Sequence, residues 1–389
     1  MKIANRMDNL SVSLTLAITA MARELKAQGK DILSFSAGEP DFDTPQVIKD
    51  AAINAINNGD TKYTAVAGTL ETKQAIVDKL QRDHGLKYNK DEVIVSNGAK
   101  HSLFNLFQCL VDAGDEVIIP APYWVTYPDQ VKFSDGVPVF IETDDSTNFK
   151  ITPEQLKAAI TDKTKILLLN TPSNPTGGVY SKEELVALAE VLKGTDILVL
   201  SDEMYEKIMY DGKKFTSVAS ISDDMFQRTV TINGISKAVA MTGWRYGYVA
   251  TPNKELINAM VKLQGQVTSN VNSITLKAAI TALDGSADAD IEMMRKEFEK
   301  RRDLALDRFN AIEGLSCVAP DGAFYLFINI QEVTTDSMKF AADLLEKEGV
   351  AIIPGLAFGT EGYIRFSFAT DEETIKQGIA RIKRFVETK

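Results

Sequence analysis

Only two cysteines, Cys109 and Cys317, and two histidines, His84 and His101, occur among 389 residues. Cysteines so far apart, with no C-x-x-C spacing, provide no disulfide framework and point to a reducing, cytoplasmic setting. Two isolated histidines form no H-E-x-x-H pattern and leave a Ser-His-Asp triad few candidates, so no metal site is expected. Positive charge is also short, 43 Lys and Arg against 54 Asp and Glu for a net charge of -11. Binding nucleic acid takes clustered cations, so it is not expected as a partner. No run approaches the ~18 apolar residues of a membrane span, and the N-terminus MKIANRMDNL lacks the apolar core of a secretory leader. Neither G-x-G-x-x-G after a strand nor G-x-x-x-x-G-K-[ST] occurs, which argues against dinucleotides and nucleoside triphosphates.

What is present is a chain 44% hydrophobic, enough for large cores and about two or three domains. A helix is expected over 13–28, with Ser11 or Ser13 as cap and Gly29 as stop, followed by a short strand at 31–36 and an irregular Gly- and Pro-containing loop through Asp43. After helices over 45–58 and 69–84, a strand at 92–96 runs into Asn97, Gly98, Ala99 and Lys100 and then a helix to 111. A strand, small residues and a helix start make an anion site, because free amides and the positive helix end meet where a phosphate can reach the backbone. Lys100 opposes that dipole at a cost of about 0.3–1 kcal/mol, which hints at a bound negative group; a solvated lysine is the bland alternative.

Strands at 116–120, 137–142, 165–170 and 197–201 alternate with helices near Pro153 and Lys182, giving an α/β fold with a mainly parallel sheet. Ligands of such sheets sit outside the carboxyl ends of the strands, which here carry Tyr123-Trp124, Asn170 to Gly177, and Ser201 to Tyr205. Asp202 emerges from an apolar strand, where a carboxylate needs a cationic or hydrogen-bonding partner; a protonated ring nitrogen would serve. The next strand, from Thr229, delivers Ser236 and Lys237 onto irregular backbone, with Arg245 eight residues on. A held amine and a planar guanidinium suit a carbonyl compound that carries phosphate, the amine as nucleophile and the guanidinium as clamp. Gly234-Ile235-Ser236-Lys237-Ala238 nearly matches a G-x-S-x-G elbow, so a hydrolase stays open, with the missing last glycine against it.

Beyond Pro252, helices, a long charged helix over 288–312, and strands around 320–330, 350–353 and 363–368 predict a second, smaller α+β domain. We place its boundary near residue 290. The expected organisation is a segment 1–40 packing on that domain, a large domain over 41–290 and the small domain over 291–389. In the run Tyr363 to Phe368, Arg365 shares a face with Tyr363 and Ser367, while Ile364, Phe366 and Phe368 fill the other, which predicts a polar site face and a core face.

Asn174-Pro175-Thr176-Gly177, Asp202-Glu203-x-Tyr205, Ser236-Lys237 and Arg245, in that order, resemble the fold-type I aminotransferases that use pyridoxal 5'-phosphate. The likeness covers nearly the whole chain. It is strongest to the bacterial aspartate and prephenate aminotransferases, through Tyr123-Trp124-Val125-Thr126-Tyr127 and Gly322-Ala323-Phe324-Tyr325.

The resemblance implies a seven-stranded-type sheet, a homodimer with shared active sites, and catalysis by Lys237, Asp202 and Tyr205. Lys237 would hold the cofactor covalently, Asp202 would pair with its ring nitrogen, and Tyr205 and Asn174 would bond its 3' oxygen. Trp124 would stack on the ring, and Gly98, Ala99, Ser236, Arg245 and Tyr63 of a partner subunit would hold the phosphate. Arg365, Gly38, Asn174 and Trp124 would meet the substrate, with Thr15, Lys100 and Ser13 reading a distal carboxylate. Aspartate or glutamate with 2-oxoglutarate or oxaloacetate is the implied pair, with prephenate as a further acceptor. Alternatives are aromatic or other amino donors, a β-lyase, or a pyridoxal-sensing regulator, although no basic DNA-binding extension is seen.

Overall fold

In the computed structural model, which describes residues 3–388, a seven-stranded sheet sets the position of everything else. Its strands are β1 (Val93–Ser96), β2 (Glu116–Ala121), β3 (Val137–Glu142), β4 (Thr164–Asn170), β5 (Leu198–Asp202), β6 (Thr229–Gly234) and β7 (Gly247–Ala250), in the spatial order β1-β7-β6-β5-β4-β2-β3. The middle strands read as continuous apolar runs because helices cover both faces, as parallel sheets require. Only β7 runs against the rest, pairing antiparallel with β1 and β6 while the other neighbours are parallel. One edge of the sheet therefore collects six carboxyl ends and the amino end of β7. Along it Asn170 lies beside Asp202, Gly234 beside Gly247, and Gly247 beside Ser96.

A smaller antiparallel sheet of β8 (Ser316–Cys317), β9 (Tyr325–Asn329), β10 (Ile353–Pro354) and β11 (Tyr363–Ser367) has the order β10-β11-β9-β8. Leu326, Ile328, Ile364 and Phe366 on one face pack with Phe298 and Phe309 of a long helix, Asp288–Asn310, and with Phe340, Ile379 and Phe385 of the last two helices. The opposite face departs from the expected polar face. Tyr363 is buried there, stacked on Phe327 at 5.0 Å and edge-on to Phe149, and Ser367 is buried as well. The alternation separates two covered faces, because Phe149 and Phe358 cap the second one. Arg365 pairs with Phe327 on one side and Ile353 on the other, so it sits inside this sheet and not on its edge.

The N-terminal segment lies on this C-terminal layer. Ser13 caps helix α1 (Leu14–Ala27), Leu33 and Ser34 add a short parallel ladder to Val350 and Ala351, and Phe35 stacks on Phe366 at 4.1 Å. From there residues 36–44 cross to the large sheet. Ser36 carbonyl oxygen accepts from Arg365 Nη2 at 2.7 Å, Gly38 carbonyl oxygen from Lys237 Nζ, and Thr44 Oγ1 donates to Ala240 at 2.8 Å. No helix among the described residues is long and apolar enough to cross a membrane.

Candidate active site

Lys237 lies in the turn just past β6, on backbone that is neither helix nor strand. Its amine donates to Gly38 carbonyl oxygen and lies 5.9 Å from the ring centres of Tyr205 and Phe324. Burial is the main influence on this amine; Glu39 opposes it, and the net effect pushes the pKa down to about 8. Asp202, at the end of β5, is 5% exposed. Its Oδ2 accepts from Tyr127 hydroxyl at 2.9 Å and its Oδ1 from the Met204 amide at 3.3 Å. Burial pushes this carboxyl up to about 6, against the pull of those two donors and of Lys237. A deeply buried carboxylate held only by neutral donors is set for a further cationic or N-H partner.

On the facing side Arg365 is 3% exposed. Nη1 donates to Asn174 Oδ1 at 2.9 Å and Nη2 to Ser36 carbonyl oxygen, and the guanidinium lies 4.4 Å from the Tyr325 ring centre and 5.0 Å from that of Phe358. Among the described residues Nε has no hydrogen-bond partner and no carboxylate pairs with this cation. A buried guanidinium with neutral neighbours is an anion site, because desolvation of the charge is offset only when a counter-ion arrives. Asn174 is itself placed by its amide donating to Asn170 Oδ1 at 2.8 Å, and Asn170 in turn donates to Asp202 carbonyl oxygen. Tyr205 shares a hydrogen bond with Tyr325 hydroxyl at 2.8 Å, and a Cβ on Gly38 would stand 3.0 Å from that same hydroxyl.

A second anion cradle forms where β1 meets helix α2 (Ala99–Leu110). Gly98 is its cap, at φ 89° and with no side-chain cap hydrogen bond; among the described residues the amides of Ala99 and Lys100 have no partner, while that of His101 donates to Gly98 carbonyl oxygen at 3.0 Å. Arg245 adopts φ 56°, which turns its guanidinium over Gly98; a Cβ on Gly98 would fall on it, and one on Gly247 would fall on the Ala99 amide. Ser236 is buried beside Lys237. Lys100 sits 4.9 Å above the Trp124 ring centre, and partial burial followed by Arg245 holds its amine below the usual lysine range.

The structure thus brings Lys237 together with Gly38, Asp202 and Tyr205, Arg365 with Asn174, Gly98 with Arg245, and Lys100 with Trp124. Ser13 and Thr15 bond each other at 3.0 Å and connect through Thr19 to Ser36, yet among the described residues no hydrogen bond joins them to Lys100. Tyr63 is 91% exposed on the single chain. Sequence reasoning gave no role to Tyr127, Tyr325, Ser36 or Glu39, whose Oε2 accepts from Thr242 at 2.9 Å. Tyr127 had one usable signal, its position one helical turn after Trp124. Asp83, His84 and Glu206 bring three ligand-type atoms within 4.8 Å, but Lys79 and Lys207 ion-pair with these carboxylates, so the cluster is a buried charge network.

Comparison with known proteins gives a consistent picture. The profile of aminotransferase class I and II matches residues 30–382. An aspartate aminotransferase of Bacillus subtilis is 50% identical, over 100% of this chain and 99% of its own length. An aspartate/prephenate aminotransferase of Nitrosomonas europaea is 47% identical, over 98% of this chain and 99% of its own. The structure of an aspartate aminotransferase from Thermus thermophilus with maleate superposes with a TM-score of 0.95 at 42% identity, covering 99% of each chain.

Proposed function

The chain belongs to the class I and II aminotransferases, and on that premise we propose that it moves the amino group of aspartate or glutamate to 2-oxoglutarate or oxaloacetate, with prephenate as a further acceptor. The observation that carries the substrate side is Arg365, a buried guanidinium with no counter-ion among the described residues. The fold is the fold-type I α/β architecture, and the cofactor is pyridoxal 5'-phosphate.

The residues fit that group. Gly98, Ala99, Ser236 and Arg245 would hold its phosphate at a helix start where a Cβ on Gly98 would fall on the Arg245 guanidinium. Asp202, buried and with no cationic hydrogen-bond partner among the described residues, would take its ring nitrogen, with Trp124 on the ring and Tyr205 and Asn174 toward the 3' oxygen. When bound, it supplies an electron sink for the electrons left behind as the substrate α-C-H bond breaks. Lys237 Nζ, with its pKa lowered by burial, is a nucleophile toward a carbonyl carbon and, once released, a base for the α-proton of the amino acid. Arg365 grips the α-carboxylate with its planar fork, and Gly38 leaves room beside it. The segment 36–44, tied to both layers, covers the site against water.

Lys100, with Thr15 and Ser13, reads the distal carboxylate, and the maleate in the Thermus relative is a four-carbon dicarboxylate of the matching kind. Replacing Lys100 with methionine is expected to lower kcat/KM for aspartate by about 10 to 100-fold, the worth of one charge-assisted pair, and to leave an aromatic donor nearly unchanged. Steady-state kinetics with aspartate, glutamate and phenylalanine decide this, since an equal fall for all three donors removes Lys100 from specificity.

We assign residues 1–40 to a segment on the small domain, 41–290 to the large domain and 291–389 to the small one, with the substrate between them. A cytoplasmic homodimer accounts for Tyr63, which would enter the partner's phosphate site. It also accounts for the apolar Ile56, Leu70 and Val267, which are 53%, 65% and 54% exposed. Light scattering at the mass of one chain would refute the dimer.

Asp202 also predicts a pH dependence for the cofactor-free protein. Its folded pKa of about 6 lies above the ordinary 3.8, so between these values the folded state binds more protons than the unfolded one. The contribution is therefore fully present below about pH 4 and lost as pH rises through 6. Asp202→Asn escapes that loss, and its melting temperature relative to the unsubstituted protein should climb between pH 4 and 7 by the equivalent of roughly 2–3 kcal/mol. A difference that stays constant across this range would show that no buried charge is at stake.

A further inference from the structure

We propose that Tyr127 is a positioning residue for the reaction: its hydroxyl fixes the orientation of the Asp202 carboxylate and keeps it ionised toward the ring nitrogen of the cofactor. This rests on the reading of Asp202 given above. The hydroxyl donates to Asp202 Oδ2 at 2.9 Å, and the only other hydrogen bond to the carboxylate among the described residues is the longer one from the Met204 amide, 3.3 Å to Oδ1. One oxygen is thus pinned by a side chain and the other by backbone, which sets the plane of the carboxylate. A proton on Asp202 would compete with both donors.

Tyr127 is well built for this. Its ring is 1% exposed, in the core formed by Phe107, Val131 and Leu168, so the hydroxyl cannot swing to water. Burial, then the Asp202 charge, hold the phenol proton on far above the usual range, which makes the hydroxyl a permanent donor. The groups that face Asp202 are Lys237 from the turn after β6, Tyr205 from the segment after β5, and Tyr127 itself. Of these only Tyr127 hydrogen-bonds to the carboxylate.

Tyr127 also ties this carboxylate to the stacking residue. Its amide donates to Trp124 carbonyl oxygen at 3.1 Å, and the two rings meet edge-on at 5.3 Å and 80°. A single turn of chain therefore carries the indole for the face of the ring and the hydroxyl that aims the group at its nitrogen.

The test compares the unsubstituted protein with Tyr127→Phe, Asp202→Asn and the double variant, each loaded with cofactor labelled with nitrogen-15 in the ring. Tyr127→Phe should move the ring-nitrogen resonance toward the unprotonated position and weaken cofactor affinity by about tenfold, the worth of one hydrogen bond to a charged group. KM for aspartate should change little while kcat falls. In the Asp202→Asn background the same change should have no further effect on the resonance, because the hydroxyl acts through the carboxylate. If Asp202→Asn moves the resonance and Tyr127→Phe does not, Tyr127 is only a packing residue and the proposal fails. If Asp202→Asn leaves the resonance in place, the reading of Asp202 itself fails. Thermal unfolding of the cofactor-free variants confirms that each is folded.

Discussion

Lys237→Ala should reduce transamination by on the order of 10⁴-fold or more and abolish the near-visible absorbance that cofactor linked to this amine gives the protein. Both losses have one cause, the removal of a buried nucleophile that is also the α-proton base. The environment of Lys237 is specific enough to make the prediction sharp. Its amine is held on Gly38 carbonyl oxygen, flanked by the rings of Tyr205 and Phe324, and pushed down to about 8 mainly by burial. Arginine at this position would keep the charge but not a neutral amine. Cofactor should still bind to Lys237→Ala, since Gly98, Ala99, Ser236 and Arg245 hold the phosphate independently. Cofactor bound without the link would absorb as a free aldehyde, so a band that keeps the wavelength of the linked form after the substitution would move the reactive amine elsewhere, and turnover within tenfold of normal would remove Lys237 from the chemistry.

The second large effect is expected at Arg365. Arg365→Lys retains a positive charge but loses the planar fork, and a lysine ammonium cannot serve Asn174, Ser36 and an incoming carboxylate in one plane. Losing half of a buried charge-assisted pair costs about 2–4 kcal/mol, so kcat/KM should fall roughly 30 to 1000-fold for every amino donor. Cofactor affinity should hardly change, because Arg365 lies in β11 of the small sheet, whereas the phosphate cradle belongs to the large one. That split separates substrate binding from cofactor binding. A loss confined to acidic donors would instead place Arg365 on the distal carboxylate, and equal losses of cofactor and substrate affinity would point to a collapsed site.

The same two residues show how far pattern carries. Lys237 was legible because an apolar strand ends at Asn233-Gly234, so the residues after it had to stand on irregular backbone at the sheet edge. Arg365 was legible as a cation inside a strand, but its surroundings were misjudged. Period-two alternation reports that the faces differ, and here one is covered by Phe298 and Phe309 and the other by Phe149 and Phe358. Alternation has no means of telling water from a second apolar layer. Tyr325 and Ser36 escaped for a related reason, since each matters only for what it meets across the molecule.

By itself the sequence determined the α/β class, the strand order in the chain, and which strand ends carry an amine, a carboxylate, a guanidinium and an uncapped helix start. Those are local properties, set by periodicity, turn chemistry and residue type within a few positions. Only the tertiary structure decided how they meet: that reversed β7 brings Arg245 back over Gly98, that Arg365 stands in the interior with no counter-ion among the described residues, and that Tyr127 reaches Asp202 across 75 residues. Such contacts depend on how two layers and a crossing segment pack, and packing geometry is a property of the whole chain that no single stretch encodes.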